Sequence, residues 1–182
     1  MLLLRVLFLL QTSLAGPPCY STLPDLEAAL SSARPGDVLV ICDGDYSAWD
    51  LLVAGEGLTL RADTPGRVSL HLGSRLTVQG SQNLVTGIKF HGGGSSTPIT
   101  IAGERNTVRD CVVEHHQAVH WVLLTGVENT VSHCRFSNKT AKEGISIIIT
   151  YYNICTIYTT SIFNTGTFEF WTLSNNKRTV FF

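Results

Sequence analysis

The chain repeats itself with a period of 23 residues, and few folds tolerate that. The stretch Leu76-Thr-Val78-Gln-Gly80-Ser-Gln-Asn83-Leu-Val85-Thr-Gly-Ile88-Lys-Phe90 is echoed by Ile99-Thr-Ile101-Ala-Gly103-Glu-Arg-Asn106-Thr-Val108-Arg-Asp-Cys111-Val-Val113. It returns as Val122-Leu-Leu124-Thr-Gly126-Val-Glu-Asn129-Thr-Val131-Ser-His-Cys134-Arg-Phe136. A period near 23 suits one coil of a right-handed parallel β-helix, a leucine-rich repeat or an ankyrin repeat. The last two require an amphipathic helix in every copy, and none is visible. Each copy instead alternates apolar and polar residues on either side of a Gly-x-x-Asn turn, the mark of short strands with one face buried. The expected fold is all-β, a right-handed parallel β-helix.

Stacking the copies sets like over like, about 4.8 Å apart. Aliphatic ladders are then expected at 76/99/122 and 85/108/131, with an asparagine ladder at Asn83, Asn106 and Asn129. Asparagine tolerates the left-handed region and its amide can bond along the stack, so these three are read as structural. Cys111 and Cys134 share one inward position in adjacent coils and form either a buried thiol pair or a disulfide, with thiols preferred. Upstream, Pro24 to Ala33 reads as a short amphipathic helix capping the first coil, as solenoid ends require. Arg34-Pro-Gly-Asp37 turns it into a strand at Val38–Ile41. Asp43-Gly-Asp45-Tyr46 is read as a turn, and residues 49–53 and 58–72 as less regular coils.

Length and composition agree with this and narrow the partners. One domain fits in 182 residues. Thirteen basic against fourteen acidic residues leave a net charge of -1, so neither nucleic acid nor an anionic membrane is an expected partner. A monomer is expected. Residues 1–16 resemble a signal peptide, with Arg5 inside an apolar run to Leu10 and small residues at Ser13 to Gly16. That run is too short to span a membrane, and no later segment qualifies. Secretion brings the five cysteines into an oxidising compartment, where Cys19 and Cys42 make a plausible bridge. The repeat domain is placed at 17–150. Beyond it, residues 151–182 hold nine of the 16 aromatics and the Gly-x-x-Asn register does not clearly return. This tail is read as divergent and foreign to the domain, leaving the β-helix truncated at its C-terminal end.

Three segments together resemble polysaccharide lyase family 6, the chondroitinase B and alginate lyase family. They are Ala33-Arg-Pro-Gly-Asp37-Val-Leu-Val-Ile-Cys-Asp43-Gly44-Asp45-Tyr46, then Leu58-Thr-Leu-Arg61-Ala62 before Pro65-Gly66, and Trp121 through Thr140 with Gly126, Asn129, His133, Cys134, Phe136 and Lys139. The likeness covers residues 24 to 149. It implies a secreted enzyme that cleaves uronate-containing polysaccharides by β-elimination. A basic group removes the C5 proton and calcium neutralises the substrate carboxylate. In the family the lysine base, arginine acid and acidic calcium ligands lie downstream of the matched part. No matching stretch follows Thr150, where Glu169 is the only acidic residue and Lys177-Arg178 lacks the surrounding motif. No catalytic residue and no metal ligand is therefore assigned in this chain, and calcium is expected only in the full-length family.

Several residues remain candidates for contact with an acidic polysaccharide. Lys139 and Lys142 follow a coil on a loop that in the family lies near the substrate groove, although a solvated turn would also carry lysines there. Trp121 is read equally as a sugar-stacking platform or part of the coil edge. His116 is a weaker candidate, because His115, His116, His120 and His133 read best as surface polar residues. The His116/His120 spacing lacks the helix that a two-histidine metal face requires. Asn138-Lys139-Thr140 is a glycosylation sequon. The expected function is a lyase-like secreted protein, catalytically incomplete. The alternatives are a non-catalytic β-helix module binding acidic glycans or a protein, and a product with no stable function.

Overall fold

A computed structural model describes residues 18–94, 96–118, 120–139, 146–150, 154–156 and 169–173. Its strands are short, two to five residues each, because each apolar-polar alternation is interrupted by a turn, and all of them pair in parallel. They wind into a parallel β-helix of about five turns with three sheets. The first sheet stacks Cys19–Tyr20, Val38–Ile41, Thr59–Ala62, Leu84–Thr86, Thr107–Arg109, Thr130–Ser132 and Ile154–Thr156. The second stacks Gly44–Ser47, Val68–His71, Ile88–His91, Val112–Glu114 and Arg135–Ser137. The third stacks Asp50–Val53, Arg75–Val78, Ile99–Ile101, His120–Leu124, Ser146–Thr150 and Glu169–Leu173.

Both expected aliphatic ladders are present and extend beyond the three clear repeats. Leu51, Leu76, Ile99, Val122 and Ile147 pair in sequence and are fully buried. Leu39, Leu60, Val85, Val108 and Val131 form the second ladder. A third runs through Leu70, Phe90, Val113 and Phe136. Each aliphatic side chain removed from water in this way contributes about 1.5–3 kcal/mol. Residues 44–47, read from sequence as part of a turn, are a strand: Gly44 to Ser47 pair with Val68 to His71. Within the stretches 49–53 and 58–72, read as less regular coils, Asp50–Val53, Thr59–Ala62 and Val68–His71 are strands that pair in register. Here sheet pairing, with Tyr46 packed against the core, overrides the weak local signal of Asp, Gly and Ser. Strands at 154–156 and 169–173 extend the first and third sheets past residue 150.

The Gly-x-x-Asn turn explains why the period is kept so strictly. Asn83 and Asn106 accept, through Oδ1, the backbone N–H groups of Leu58 and Asn83 (2.9 and 3.0 Å), and Asn129 accepts that of Asn106 at 2.9 Å. Their amides donate to the carbonyls of Gly55, Gly80 and Gly103, one coil earlier, at 2.7–2.8 Å. Groups buried inside a solenoid corner are thus satisfied by the neighbouring copy. The left-handed conformation does not fall on the asparagines as expected. It falls on the preceding residues Gln82, Arg105 and Glu128, at φ 53–56°. Gly103 is required for close approach, since a Cβ there would lie 1.8 Å from the Gly80 carbonyl oxygen.

Helix α1 (Leu23–Ser32) begins at Thr22, whose hydroxyl accepts the Asp25 N–H, and it carries proline in its first turn. Leu26 is fully buried, and Leu23, Ala29 and Leu30 pack beside it over the first coil. Cys19 and Cys42 form a disulfide that fixes the strand before the cap to the end of the next strand. Cys111 and Cys134 are buried free thiols. The hydrogen bond with Cys134, together with burial, raises the Cys111 pKa well above the ordinary thiol value and keeps that thiol neutral. The leader segment 1–16 and Lys142 lie outside the described residues.

Candidate functional site

Polar residues that the repeat does not share gather on the outer face of the second sheet. In Ile88–His91 the inward positions are Ile88 and Phe90, so Lys89 and His91 face out. One coil on, Val113 points in, and Val112 and Glu114 face out. The register places Glu114 directly beside His91 and Arg135 beside Val112. Glu114 becomes the hub of the face: its Oε1 lies 2.5 Å from Lys89 Nζ and 3.0 Å from His91 Nδ1, and its Oε2 lies 3.5 Å from Arg135. Partial burial would raise the Glu114 pKa, but the hydrogen bonds from Lys89 and His91 and their charges outweigh it, so the carboxyl is held below its ordinary value.

Histidines line the turn beside this hub. The rings of His71 and His91 are 5.3 Å apart, and those of His91 and His115 are 5.0 Å apart. His71 Nε2 is engaged by Asp45 Oδ1 at 3.0 Å and Ser69 Oγ at 2.9 Å. His115 is exposed and has φ 55°, in the left-handed region. In an extended strand, neighbours 114 and 115 would point to opposite faces. The left-handed residue breaks that alternation, and His115 stands beside His91 and Glu114. One ligand atom from each of His91, Glu114 and His115 lies within 4.8 Å of the others.

Two of the four residues expected to touch substrate are inside the molecule. Trp121 is fully buried, so it offers no platform for a sugar. The reason is a register shift between His120 and Val122, which adds one residue to the strand and lets Trp121 and Val122 both face inward. Its ring packs between His116 and Phe136, at 6.2 Å from each centroid. His116, expected at the surface, is 1% exposed. It lies against Gly93, where an added Cβ would meet Nε2 at 1.8 Å, and its Nδ1 accepts the Ala118 N–H at 3.3 Å. Burial pushes its pKa down to about 4, so it is neutral near pH 7. Lys139 is half-buried, has a partner of its own, and follows the last second-sheet strand. Asn138 beside it is exposed, at φ 55°.

The structure therefore separates the candidates. Asn138 and Lys139 lie at the same edge as His115, whose N–H donates to the Ser137 carbonyl at 3.3 Å, while Trp121 and His116 belong to the core. Lys89, His91, Glu114 and Arg135 were missed by the sequence reading, although the repeat alignment held the signal. Shifting by 23 superimposes Lys89, Val112 and Arg135, and also His91, Glu114 and Ser137, as outward positions.

Calcium, which the resemblance implies for the full-length family, takes six to eight oxygen ligands. Among the described residues, the one group of three potential His, Cys, Asp or Glu ligands holds two imidazoles and one carboxylate. That set does not fit calcium. No described helix is long and apolar enough to cross a membrane.

The model of the chondroitinase B family matches residues 21–155. Solved structures of the same architecture superimpose well. The PL6 family alginate lyase AlyGC gives a TM-score of 0.67 at 24% identity, over 72% of this chain and 21% of its own length. The PL6 family polysaccharide lyase Pedsa3628 from Pseudopedobacter saltans gives 0.67 at 20% identity, over 86% of this chain and 42% of its own. A PL6 alginate lyase in complex with a trisaccharide gives 0.62 at 21% identity, over 72% and 31%. The chain thus spans between about a fifth and two fifths of the length of these structures. No curated protein matches the sequence.

Proposed function

The chain belongs to the chondroitinase B family, and from that premise we propose that it is a secreted, lyase-like β-helix that binds acidic, uronate-containing polysaccharide without cleaving it. The observation that carries this reading is the family match over residues 21–155, joined to a fold shared with alginate lyases. The contact surface is the second-sheet face and the turn after it, where Lys89, Arg135 and Lys139 supply positive charge. Lys142 belongs to the same proposal from sequence. An extended polyanion suits a solenoid, since successive coils present charges at a regular spacing of about 4.8 Å. Attraction of this kind acts mainly through exposed charges and weakens with salt.

Cleavage by β-elimination needs a base at the C5 proton and a group that stabilises the resulting enolate-like charge. Lys89 is a poor base, because its ammonium is held by Glu114 at 2.5 Å. Arg135 shares the same carboxylate, so Glu114 is occupied by cations and is itself a poor proton acceptor, while the face keeps a surplus of positive charge. This favours binding over catalysis in the described coils. Secretion is supported by the Cys19–Cys42 disulfide, a bond that persists in oxidising compartments.

The test is to incubate the purified chain with alginate and with chondroitin or dermatan sulfate. Unsaturated product is followed by ultraviolet absorbance, and binding by electrophoretic retardation in polymer-containing gels. Retardation that fades with salt, without unsaturated product, is expected. Product formation would make the chain an active lyase, and absence of both signals would end the polysaccharide reading.

A further inference from the structure

We propose that His91, Glu114 and His115 form a binding site for a divalent transition metal of the zinc type. Nothing in the polysaccharide reading requires this site, and the two stand or fall separately. Two imidazoles and one carboxylate are a donor set that suits zinc, cobalt or nickel and not calcium or magnesium. Zinc sites built from three protein ligands keep a fourth position for water or another donor. The edge on which His115 stands is exposed, so such a position is reachable from solvent.

The geometry is close to what a metal needs. Zinc bonds of about 2.0–2.2 Å imply ligand atoms roughly 3.3–3.5 Å apart in a tetrahedron. The three atoms lie within 4.8 Å of one another, and His91 Nδ1 and Glu114 Oε1 are already 3.0 Å apart. Closing the remaining gap requires a turn of the exposed His115 ring. The left-handed backbone at His115 makes the set possible, since it alone brings residues 114 and 115 to one side. His71 is not part of the set, because its Nε2 is engaged by Asp45 and Ser69.

The face also contains a competitor. Lys89 Nζ sits 2.5 Å from the carboxylate oxygen nearest His91, and Arg135 stands 3.5 Å from the other oxygen. A metal ion must displace Lys89 from Glu114 or share the carboxylate with it. Metal affinity is therefore set by a local exchange of cations on one carboxylate, and removing Lys89 strengthens the site.

The experiment is titration of the full chain with Zn²⁺ by calorimetry, and with Co²⁺ by visible absorption, which reports ligand type and geometry. Saturable one-to-one binding with a tetrahedral Co²⁺ spectrum is expected. His115→Asn keeps a residue that accepts the left-handed backbone and removes the imidazole, and should weaken binding at least about tenfold, as should His91→Gln. Lys89→Gln should tighten it roughly twofold to fivefold, the range for a partly exposed charge pair. His133→Asn, at another exposed left-handed turn, should change nothing. Absence of saturable binding by the wild-type chain would overturn the proposal. So would a thiolate charge-transfer band, which would place the ion on Cys111 and Cys134, or equal loss with His133→Asn.

Discussion

The Gly-x-x-Asn corner and the outer face of the second sheet are built on the same 23-residue spacing and use it in opposite ways. At the corner, identical residues recur so that each coil satisfies the buried polar groups of the coil before it. Asn106 takes part in four such contacts, with the N–H of Asn83, the carbonyl of Gly80, and the side chain and backbone relation to Asn129. On the second-sheet face the same spacing brings unlike residues together: Lys89 over Val112 over Arg135, and His91 over Glu114 over Ser137. Repetition there would stack like charges. Departure from the repeat lets one carboxylate gather three basic side chains. Sameness stabilises the inside of a solenoid, and difference makes chemistry on its outside.

The sharpest way to break that comparison is Gly103→Ala. The new Cβ would meet backbone on the coil before, which cannot give way as a flexible side chain would. A loss of about 3 kcal/mol in chemical denaturation is expected. Asn106→Ala comes next, at about 1–3 kcal/mol, because it strands the buried Asn83 N–H and leaves the Gly80 carbonyl with the Glu104 N–H alone. The matching change on the outer face, Glu114→Gln, should cost less than about 1 kcal/mol near neutral pH, since its partners can turn to water. If Glu114→Gln proved as damaging as Asn106→Ala, the two surfaces would not differ as argued.

Acid titration sharpens the contrast further. His116 is buried with its pKa lowered to about 4 from 6.5, so the unfolded chain binds more protons between those values. Its contribution is fully present above about pH 6.5 and is lost as pH falls toward 4. His116→Asn keeps an acceptor for the Ala118 N–H and should flatten the stability profile over that window. Glu114 also has a lowered pKa, so its contribution is present above the ordinary carboxylate range and fades only as pH falls through the lowered value. Denaturation of the two variants between pH 3 and pH 7, the span of ordinary carboxyl and imidazole titration, should separate the windows. The smallest effect expected is that of Lys139→Ala, a modest weakening of polysaccharide retardation.

Much of the architecture was legible in the sequence. The ladders at 76/99/122 and 85/108/131 stand where the alternation placed them, and helix α1 spans nearly the stretch assigned to it. Less of the site was legible. Trp121 looked like the edge of a coil because the alternation was counted from Val122, and one inserted residue reverses which face every preceding side chain takes. His116 looked like a surface residue because its burial depends on a glycine 23 positions earlier, with no side chain to fill the space. His115 looked unrelated to Glu114 because neighbours in a strand face apart, and nothing local announces a left-handed residue there.

The sequence by itself determined the repeat, and with it the parallel stacking, the buried ladders and the asparagine corner. Those follow from period and polarity, which are properties of the chain read alone. The tertiary structure decided which polar residues meet. Which side chains share a face depends on parity along each strand, and single events reset it: a bulge at His120–Val122 and a left-handed turn at His115. Each of these depends on what the adjacent coils allow, so neither can be read from a single copy of the repeat.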